Sequence, residues 1–487
     1  MPVEGRRAPG LGAAVLSLLV AGCPAAPARV SAPAAARGAR AALRVVPIGL
    51  CEDYPEESRT LAAARADLDV LAAAGVRTLR VGIGWDDVEP EPGRFEWAFW
   101  DAFVDLVVRE RGVRLIPYVA YTPRWAARRP EGDFWTSPPR QPAAFGEVVG
   151  RLAARYRGRV ESWELWNEPD NREYWSGSPA ELAALVEAGA RSARAASPGV
   201  TIVLGGLAAH PRFLDEVFAA GAGWAFDVVN VHAYFETWSP EPLERIPGLL
   251  AEVSEIVRRN GGRQPLWMAE VGYGDHRDGA RVSAGVRATF TYEHTPAFQA
   301  VALVRTLAEI LSSPEVSLTA WYRVRDLTAK TAVIGDDNNR HLGVVRADGA
   351  PKPALAALGL MTSLFGAGFA PARAEVRPRE GSGPVVARAF RLADGRAVVI
   401  AWIPTHPPGV EPNGASLPAP DPRAAAVDVA LALGTAGDGT RLDVTGERPG
   451  APIAARHQPG GTVLPLDLRA GAVAVVVLAA AAISATP

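Results

Sequence analysis

Two apolar stretches of the chain each end in a glutamate. Residues 160–167 have the composition of a buried strand and stop at Glu168 and Pro169, and residues 265–271 form a second such strand that contains Glu270. Two carboxyl groups in one pocket can hydrolyse a glycosidic bond, because one protonates the leaving oxygen while the other attacks the anomeric carbon or activates water there. This chemistry requires a fold that brings Glu168 and Glu270 together.

The pattern of apolar residues predicts such a fold. Eight strand-like runs alternate with eight helix-period segments over about 320 residues, which is typical of a (β/α)8 barrel, whose catalytic groups sit at the C-terminal ends of its strands. An open doubly wound sheet is the alternative, but it normally carries a glycine-rich turn after its first strand. Here the first strand runs into Cys51-Glu52-Asp53-Tyr54-Pro55. The predicted strands are 44–50, 77–83, 113–120, 160–167, 200–205, 226–232, 265–271 and 317–323, and the predicted helices are 58–74, 97–111, 141–157, 178–196, 211–220, 242–260, 296–312 and 352–363.

The chain changes character after residue 365. Residues 385–403 contain two runs of strand period around Asp394-Gly395, which is a strong hairpin signal. Further strands are predicted at 426–433, 440–445, 462–468 and 472–478. We therefore expect a barrel over residues 43–365 followed by an all-β sandwich domain over residues 370–487. A packing role for this domain is favoured over glycan binding, because a short hydrophilic loop rather than a linker joins it to the barrel.

The two glutamate strands resemble those of a known group of enzymes. Residues 166–169, Trp-Asn-Glu-Pro, and residues 267–272, Trp-Met-Ala-Glu-Val-Gly, are similar to the two signature strands of clan A glycoside hydrolases. The resemblance covers residues 44–362 and is greatest to glycoside hydrolase family 39, followed by family 5. It implies a retaining enzyme in which Glu168, on strand four, is the general acid/base and Glu270, on strand seven, is the nucleophile. Supporting motifs occur in the expected order at residues 79–82, 85, 90–95, 121–126, 227–234, 321–322, 341–344 and 351–354.

The resemblance also implies roles for residues around the glutamates. Asn167 would bind the 2-hydroxyl of the sugar, and Arg80 would hold Glu270 ionised. His232 and Tyr234 would orient the nucleophile and the sugar. The substrate would be a polysaccharide or an oligosaccharide, with no metal and no organic cofactor. Three tryptophans are candidates for contact with the sugar: Trp321 as the floor beneath the ring, and Trp85 and Trp125 as stacking platforms on loops.

Several of these residues have plainer interpretations. Glu164 lies in mid-strand and favours a buried structural pairing, which Arg80 could neutralise. His232 could be a core histidine, and Cys51 is better explained as a small buried thiol than as a nucleophile. The charged loop residues Glu89 and Glu236 are expected to be solvated. At the level of the whole protein, a carbohydrate-binding protein on a degenerate barrel and a transglycosylase remain as alternatives.

The N-terminus has the pattern of an export signal. Arg6 and Arg7 precede a short apolar run over residues 11–20, and the run ends in Val20-Ala21-Gly22-Cys23. This ending resembles the bacterial lipobox and implies a signal peptide over residues 1–22, lipid attachment at Cys23 and a flexible tether over residues 23–42. Ordinary signal-peptidase cleavage near residues 25–28 is the alternative. Either way the protein is expected at the cell envelope or outside the cell.

The composition limits the possible partners. The 487 residues include 51 basic and 53 acidic side chains, and 48% are apolar, which suits a globular protein of two or three domains. No basic stripe with interleaved aromatic residues is present, so nucleic acid is not an expected partner. Contact with a membrane is expected only through the lipid anchor. The histidines and cysteines do not follow the spacing of a zinc site.

Overall fold

The computed structural model describes residues 42–54, 59–208, 210–237, 239, 241–276, 293–328, 338–379, 381–405, 422–432, 438–458 and 461–480. Eight parallel strands, β1 to β8, close into a barrel in which each strand pairs with its neighbours in sequence and β8 pairs with β1. Almost every strand residue is buried, because the barrel interior covers one face and the helices cover the other. The strands are β1 (Ile48–Glu52), β2 (Thr78–Gly84), β3 (Arg114–Ala120), β4 (Ser162–Leu165), β5 (Thr201–Leu207), β6 (Val228–Ala233), β7 (Leu266–Val271) and β8 (Val316–Tyr322).

Helices connect the strands on the outside of the barrel. Polar residues cap the starts of some of them: Thr60 caps the first long helix, and Ser178 forms a capping box with Glu181 ahead of Pro179. A π-helical segment, Asp105–Glu110, continues the third helix. The helices are α1 (Leu61–Ala73), α2 (Trp85–Val88), α3 (Ala98–Val104), α4 (Pro142–Arg155), α5 (Pro179–Ala196), α6 (Pro211–Ala219), α7 (Ile246–Arg259), α8 (Pro296–Ser312) and α9 (Pro353–Phe365).

The C-terminal region forms two antiparallel sheets, in agreement with the predicted sandwich. One sheet has the order β10-β13-β17-β16, and the other has the order β15-β14-β18-β12-β11-β9. The predicted hairpin is β11–β12, with Gly395 at a φ of 87° in its turn. The strands are β9 (Phe369–Ala372), β10 (Ala374–Pro378), β11 (Val386–Leu392), β12 (Ala397–Trp402), β13 (Ala424–Leu431), β14 (Gly439–Leu442), β15 (Ala451–Ile453), β16 (Arg456–Gln458), β17 (Gly461–Arg469) and β18 (Val473–Leu478).

Helix α8 lies where the barrel meets this β domain. All its residues from Phe298 to Leu311 are buried, including Arg305 and Glu309. A helix that is buried on every side must pack against two layers. On the β-domain side Glu309 accepts hydrogen bonds from Arg388 of β11, at 2.9 and 3.1 Å.

The first strand begins later than predicted. The predicted strand starts at Arg44, whereas β1 starts at Ile48. Arg44 instead forms an antiparallel bridge with Phe369, and its guanidinium donates to carbonyl groups at the end of α8. Val45 is 60% exposed, so this segment lacks the two-sided cover of a barrel strand. The exact limits of the predicted domains stay a prediction. No helix among the described residues is long and apolar enough to cross a membrane.

Candidate active site

The barrel brings the two predicted glutamates into one cavity. Glu168 follows β4 and Glu270 lies in β7, and both line a cavity of about 780 Å³ at the C-terminal ends of the strands. One oxygen of each carboxylate and a ring nitrogen of His232 all lie within 4.8 Å of one another. Both glutamates are largely buried, at 8% and 9% exposure. The cavity therefore presents two adjacent carboxylates to any molecule that enters it.

The backbone around Glu168 is held in an unusual conformation. Trp166 and Glu168 have φ values of 79° and 44°, in the left-handed region that non-glycine residues rarely adopt. Such residues cost on the order of 1–3 kcal/mol each and persist only where the surroundings fix them. Here the Glu168 amide donates to Gly206 O at 2.9 Å. A Cβ atom on Gly206 would lie 1.9 Å from His232 Nε2, so glycine is required for β5 to approach the site this closely.

His232 lies between Glu168 and Asn230 and contacts both. Its Nδ1 lies 2.9 Å from Glu168 Oε1, and Asn171 Nδ2 donates to Glu168 Oε2 at 3.2 Å. Asn230 Oδ1 accepts a hydrogen bond from the Ala269 amide, which fixes the side-chain amide so that its Nδ2 faces His232 Nε2 at 3.3 Å. This arrangement assigns the proton of the neutral ring to Nδ1 and makes it a donor to Glu168.

The charge on His232 is set by competing effects. Burial disfavours the charged ring, but the negative charge of Glu270 and the hydrogen bond to Glu168 outweigh it and raise the pKa of His232. His232 and Glu270 are partners in the β6–β7 register, so the strand pairing itself imposes this proximity.

Glu270 is held by two donors. Tyr234 donates its hydroxyl to Oε1 at 2.6 Å, and Arg80 Nη1 donates to Oε2 at 2.7 Å. Burial and the charge of Glu270 raise the pKa of Tyr234 well above its ordinary value, which keeps the hydroxyl protonated as a donor. Both oxygens of Glu270 are therefore oriented, and Arg80 offsets its negative charge.

Arg80 serves two glutamates at once. Its Nε and Nη2 donate to the two oxygens of Glu164 at 2.8 and 2.9 Å, and Nη2 also donates to Asn167 Oδ1 at 2.8 Å. Glu164 accepts two more hydrogen bonds, from the Gly206 amide at 2.9 Å and from Asn230 Nδ2 at 3.0 Å. The structural pairing considered for Glu164 and the contact of Arg80 with Glu270 thus occur in the same network.

The three tryptophans predicted to contact the sugar lie outside the cavity wall. Trp321 and Trp85 are fully buried, Trp125 is half-buried, and none of the three lines the cavity. Trp321 packs in the apolar layer between strands and helices, whereas the adjacent residue Tyr322 lines the cavity, since consecutive strand residues point to opposite faces. Trp85 Nε1 and Trp125 Nε1 are both held by Glu89, which is itself buried rather than solvated.

Tyrosines take the place of the tryptophans in the wall. Tyr118 OH donates to Asp53 Oδ1 at 2.8 Å, and the ring of Tyr118 lies under the Arg80 guanidinium, 4.5 Å from its centroid. Position at a strand end is the sequence signal that identifies most of these residues, because β1, β3 and β8 each end beside one. The wall residues missed from sequence include Asp53, Tyr54, Tyr118, Tyr121, Asn171, Tyr174 and Tyr322.

A cluster of potential metal ligands lies away from the cavity wall. Asp275, Asp326 and His341 each place one ligand atom within 4.8 Å of the others. Lys352 Nζ lies 2.9 Å from Asp275 Oδ1 and 2.7 Å from Asp326 Oδ1. The lysine ammonium therefore supplies the positive charge that a metal ion would bring to these carboxylates.

Comparison with known proteins agrees with the fold. Residues 53–148 match the family model of glycoside hydrolase family 42, described as beta-galactosidase, a segment that ends before both glutamates. No curated protein matches the sequence. A family 39 glycoside hydrolase from Bacteroides cellulosilyticus WH2 is similar in structure, with a TM-score of 0.63, 18% identity and coverage of 90% of this chain and 81% of that chain.

Two further solved structures extend the comparison. A monomeric beta-xylosidase from Caulobacter crescentus CB15 has a TM-score of 0.61 at 18% identity and covers 91% of this chain and 98% of its own. A family 30 endoxylanase from Clostridium papyrosolvens C71 has a TM-score of 0.59 at 13% identity and covers 90% and 97%. The predicted fold class, a (β/α)8 barrel with a C-terminal β sandwich, is confirmed, and these three similar structures are glycoside hydrolases.

Proposed function

We propose that this chain is a retaining glycoside hydrolase that cleaves O-glycosidic bonds in a polysaccharide or an oligosaccharide. The observation that carries the proposal is the placement of Glu168 and Glu270 oxygens within 4.8 Å of each other in one cavity. Double displacement uses carboxyl groups about 5–5.5 Å apart, whereas direct attack by water needs about 6.5–9.5 Å. The similarity in fold to glycoside hydrolases supports the same conclusion.

The first step forms a covalent glycosyl ester. Glu270 attacks the anomeric carbon while Glu168 gives a proton to the leaving oxygen. His232 donates to Glu168 Oε1 at 2.9 Å, and Asn171 Nδ2 donates to Oε2 at the longer distance of 3.2 Å. We therefore assign the transferred proton to Oε2, the less tightly held oxygen. Tyr234 and Arg80 keep the two Glu270 oxygens oriented for attack. In the second step Glu168 takes a proton from water, the water attacks the anomeric carbon, and the bond from that carbon to Glu270 breaks to release the carboxylate.

The experiment compares Glu168→Gln, Glu270→Gln and the control Glu173→Gln on a panel of aryl glycosides and oligosaccharides. Glu173 lines the same cavity but is exposed, and it contacts the hydrogen-bonded group only through its backbone amide, which donates to Asn171 and is kept in the variant. The panel begins with β-galactosides and β-xylosides, because the matching family model and two solved structures carry names of that kind. We expect Glu168→Gln to lose about 10²–10⁴-fold in kcat on substrates with poor leaving groups, and Glu270→Gln to lose turnover on every substrate.

The product distinguishes the alternatives. Proton NMR of the first sugar released should show the anomeric configuration of the substrate. Added azide should restore the activity of Glu168→Gln, and the product should be a glycosyl azide of retained configuration. Inverted product would contradict the retaining mechanism. Binding of a glycan without turnover by the unmodified chain would favour a carbohydrate-binding protein, and products longer than the substrate would identify a transglycosylase.

We also propose that the protein is exported and anchored through lipid at Cys23. The support is the sequence pattern at residues 11–23, since Cys23 lies outside the described residues. Fractionation of bacterial cells tests this proposal. The unmodified protein should partition with membranes and Cys23→Ala should not, whereas equal partitioning of the two would rule out the anchor.

A further inference from the structure

Side chains of the β domain reach the loop that carries Tyr234. We propose that an interdomain cluster, formed by Glu236, Glu244, Arg305, Trp402 and Thr405, positions Tyr234 and through it the carboxylate of Glu270. This inference rests on the proposed function of Glu270 and assigns the β domain a part in the active site. Glu236, Arg305 and Thr405 are positioning residues in this scheme, because they act through Tyr234.

The cluster joins three parts of the molecule. Thr405, just after β12, donates its hydroxyl to Glu236 Oε1 at 2.9 Å, and Arg305 of α8 donates to Thr405 Oγ1 at 2.8 Å. Arg305 also lies 3.3 Å from Glu236 Oε1 and 2.8 Å from Glu244 Oε1. Trp402 Nε1 donates to Glu244 Oε1 at 2.6 Å. The β6 loop is thus tied to both a barrel helix and the β domain.

Glu236 organises the loop on the cavity side. It is fully buried, and its φ of 60° places it in the left-handed region at a tight turn. Its amide donates to Glu241 O at 3.0 Å, and its Oε1 accepts from the Leu243 amide at 3.1 Å. Glu236 therefore fixes the turn through its backbone amide and the start of the segment leading to α7 through its carboxylate. This overturns the expectation that Glu236 is a solvated loop charge.

The same turn sets the position of Tyr234. Strand β6 ends at Ala233, so the Tyr234 backbone lies outside the strand and depends on the residues that follow. The Thr237 amide donates to Tyr234 O at 3.2 Å, which makes Tyr234 the first residue of the turn. Phe235, Ser239 and Glu241 line the cavity together with Tyr234. Release of Glu236 would therefore move the hydroxyl that holds Glu270 Oε1, together with one wall of the cavity.

The test removes the Thr405 hydroxyl from the full-length chain. Thr405→Val keeps the shape of the side chain, Thr405→Ser restores the hydroxyl, and Thr440→Val, at an exposed threonine of β14, is the matched control. Hydrogen exchange should become faster over residues 234–243 in Thr405→Val but not in Thr405→Ser or Thr440→Val. With any turned-over substrate we expect kcat to fall about ten-fold, within the 10²-fold cost of about 1 Å of misplacement, while KM changes less.

A double-mutant cycle separates positioning from general stability. In a Tyr234→Phe background the hydroxyl is gone, so Thr405→Val should lower kcat by less than two-fold, roughly within the error of independent sites. An equal loss of kcat in both backgrounds would overturn the inference, as would unchanged hydrogen exchange in Thr405→Val. If Thr405→Val fails to fold by circular dichroism, Trp402→Phe replaces it, since it removes one donor to Glu244. The exchange experiment needs no substrate, so failure of the proposed function would leave it informative.

Discussion

The buried pair Glu164–Arg80 gives a prediction that the structure makes quantitative. Both side chains are almost completely buried, at 0% and 1% exposure, and two hydrogen bonds of 2.8 and 2.9 Å join them. In Glu164→Gln the side chain keeps nearly the same volume but loses its charge, and its amide group must place a donor against an arginine donor. The Arg80 charge is then offset by Glu270 alone.

The expected cost follows from this geometry. Breaking a buried ion pair by removing one partner costs about 3–5 kcal/mol, because the remaining charge is left uncompensated. Arg80 retains its contacts with Glu270 at 2.7 Å and with Asn167 at 2.8 Å, so we expect the low end of that range, about 3 kcal/mol. We also expect kcat to fall about ten-fold, because the guanidinium loses its anchor on Glu164 and holds Asn167 and Glu270 less rigidly.

Equilibrium unfolding in urea, followed by tryptophan fluorescence, measures the free energy of unfolding. Glu161→Gln is the matched control, since Glu161 is exposed and lies next to the same strand. The double variant Arg80→Met/Glu164→Met should regain much of the stability, as apolar replacements of buried ion pairs do, yet stay inactive because Glu270 has lost its cation. If Glu164→Gln unfolds within about 1 kcal/mol of Glu161→Gln, the reasoning about this network is wrong.

Three further predictions address single residues. Burial raises the pKa of the Cys51 thiol well above its ordinary value, so Cys51 in the native protein should resist alkylation by iodoacetamide, as measured by mass spectrometry of its peptide, and Cys51→Ala should keep its kcat. The pKa of His232 is raised in the folded state. Protonation of His232 therefore stabilises the fold at pH values below its ordinary pKa of 6.5, and this contribution is lost as the pH rises through the folded-state pKa. In urea unfolding, the free energy lost in His232→Asn should be larger at about pH 5.5 than at about pH 8.5. Trp321→Phe should lower stability by about 1–3 kcal/mol with KM unchanged, whereas Tyr322→Ala should raise KM in steady-state assays, because only Tyr322 lines the cavity.

The barrel and its two glutamates were accessible from sequence for a physical reason. Strands buried on both faces are continuous apolar runs, and the helices between them carry caps such as Ser178. Each element is therefore indicated by its own short segment of sequence, and their order follows. In a barrel the C-terminal ends of all strands meet at one mouth. Glu168 and Glu270 therefore had to lie near each other once the strands were counted.

The face of the sheet that a residue occupies at the end of a strand is harder to predict. Trp321 and Tyr322 are adjacent aromatic residues at the end of β8, and a shift of one residue exchanges the face that each occupies. The register shifts in the β7–β8 pairing remove the regular alternation that would settle the choice. Sequence reasoning favoured the larger ring, and the structure places that ring among the helices.

The buried position of Glu236 could not be predicted from the sequence either. A glutamate in a loop is expected to be solvated, because burial of an isolated charge is costly. Its partners are Arg305, which lies 69 residues further along the chain, and Thr405, which lies 169 residues further. Contacts between residues so far apart in sequence produce no periodic pattern that could predict them. Thr405 also belongs to a region that the sequence predicts to be a separate sandwich. The wall of the cavity that carries Tyr234 is therefore specified jointly by the barrel and the β domain, and exchanging the β domain for another sandwich should preserve the barrel's fold while disturbing Tyr234.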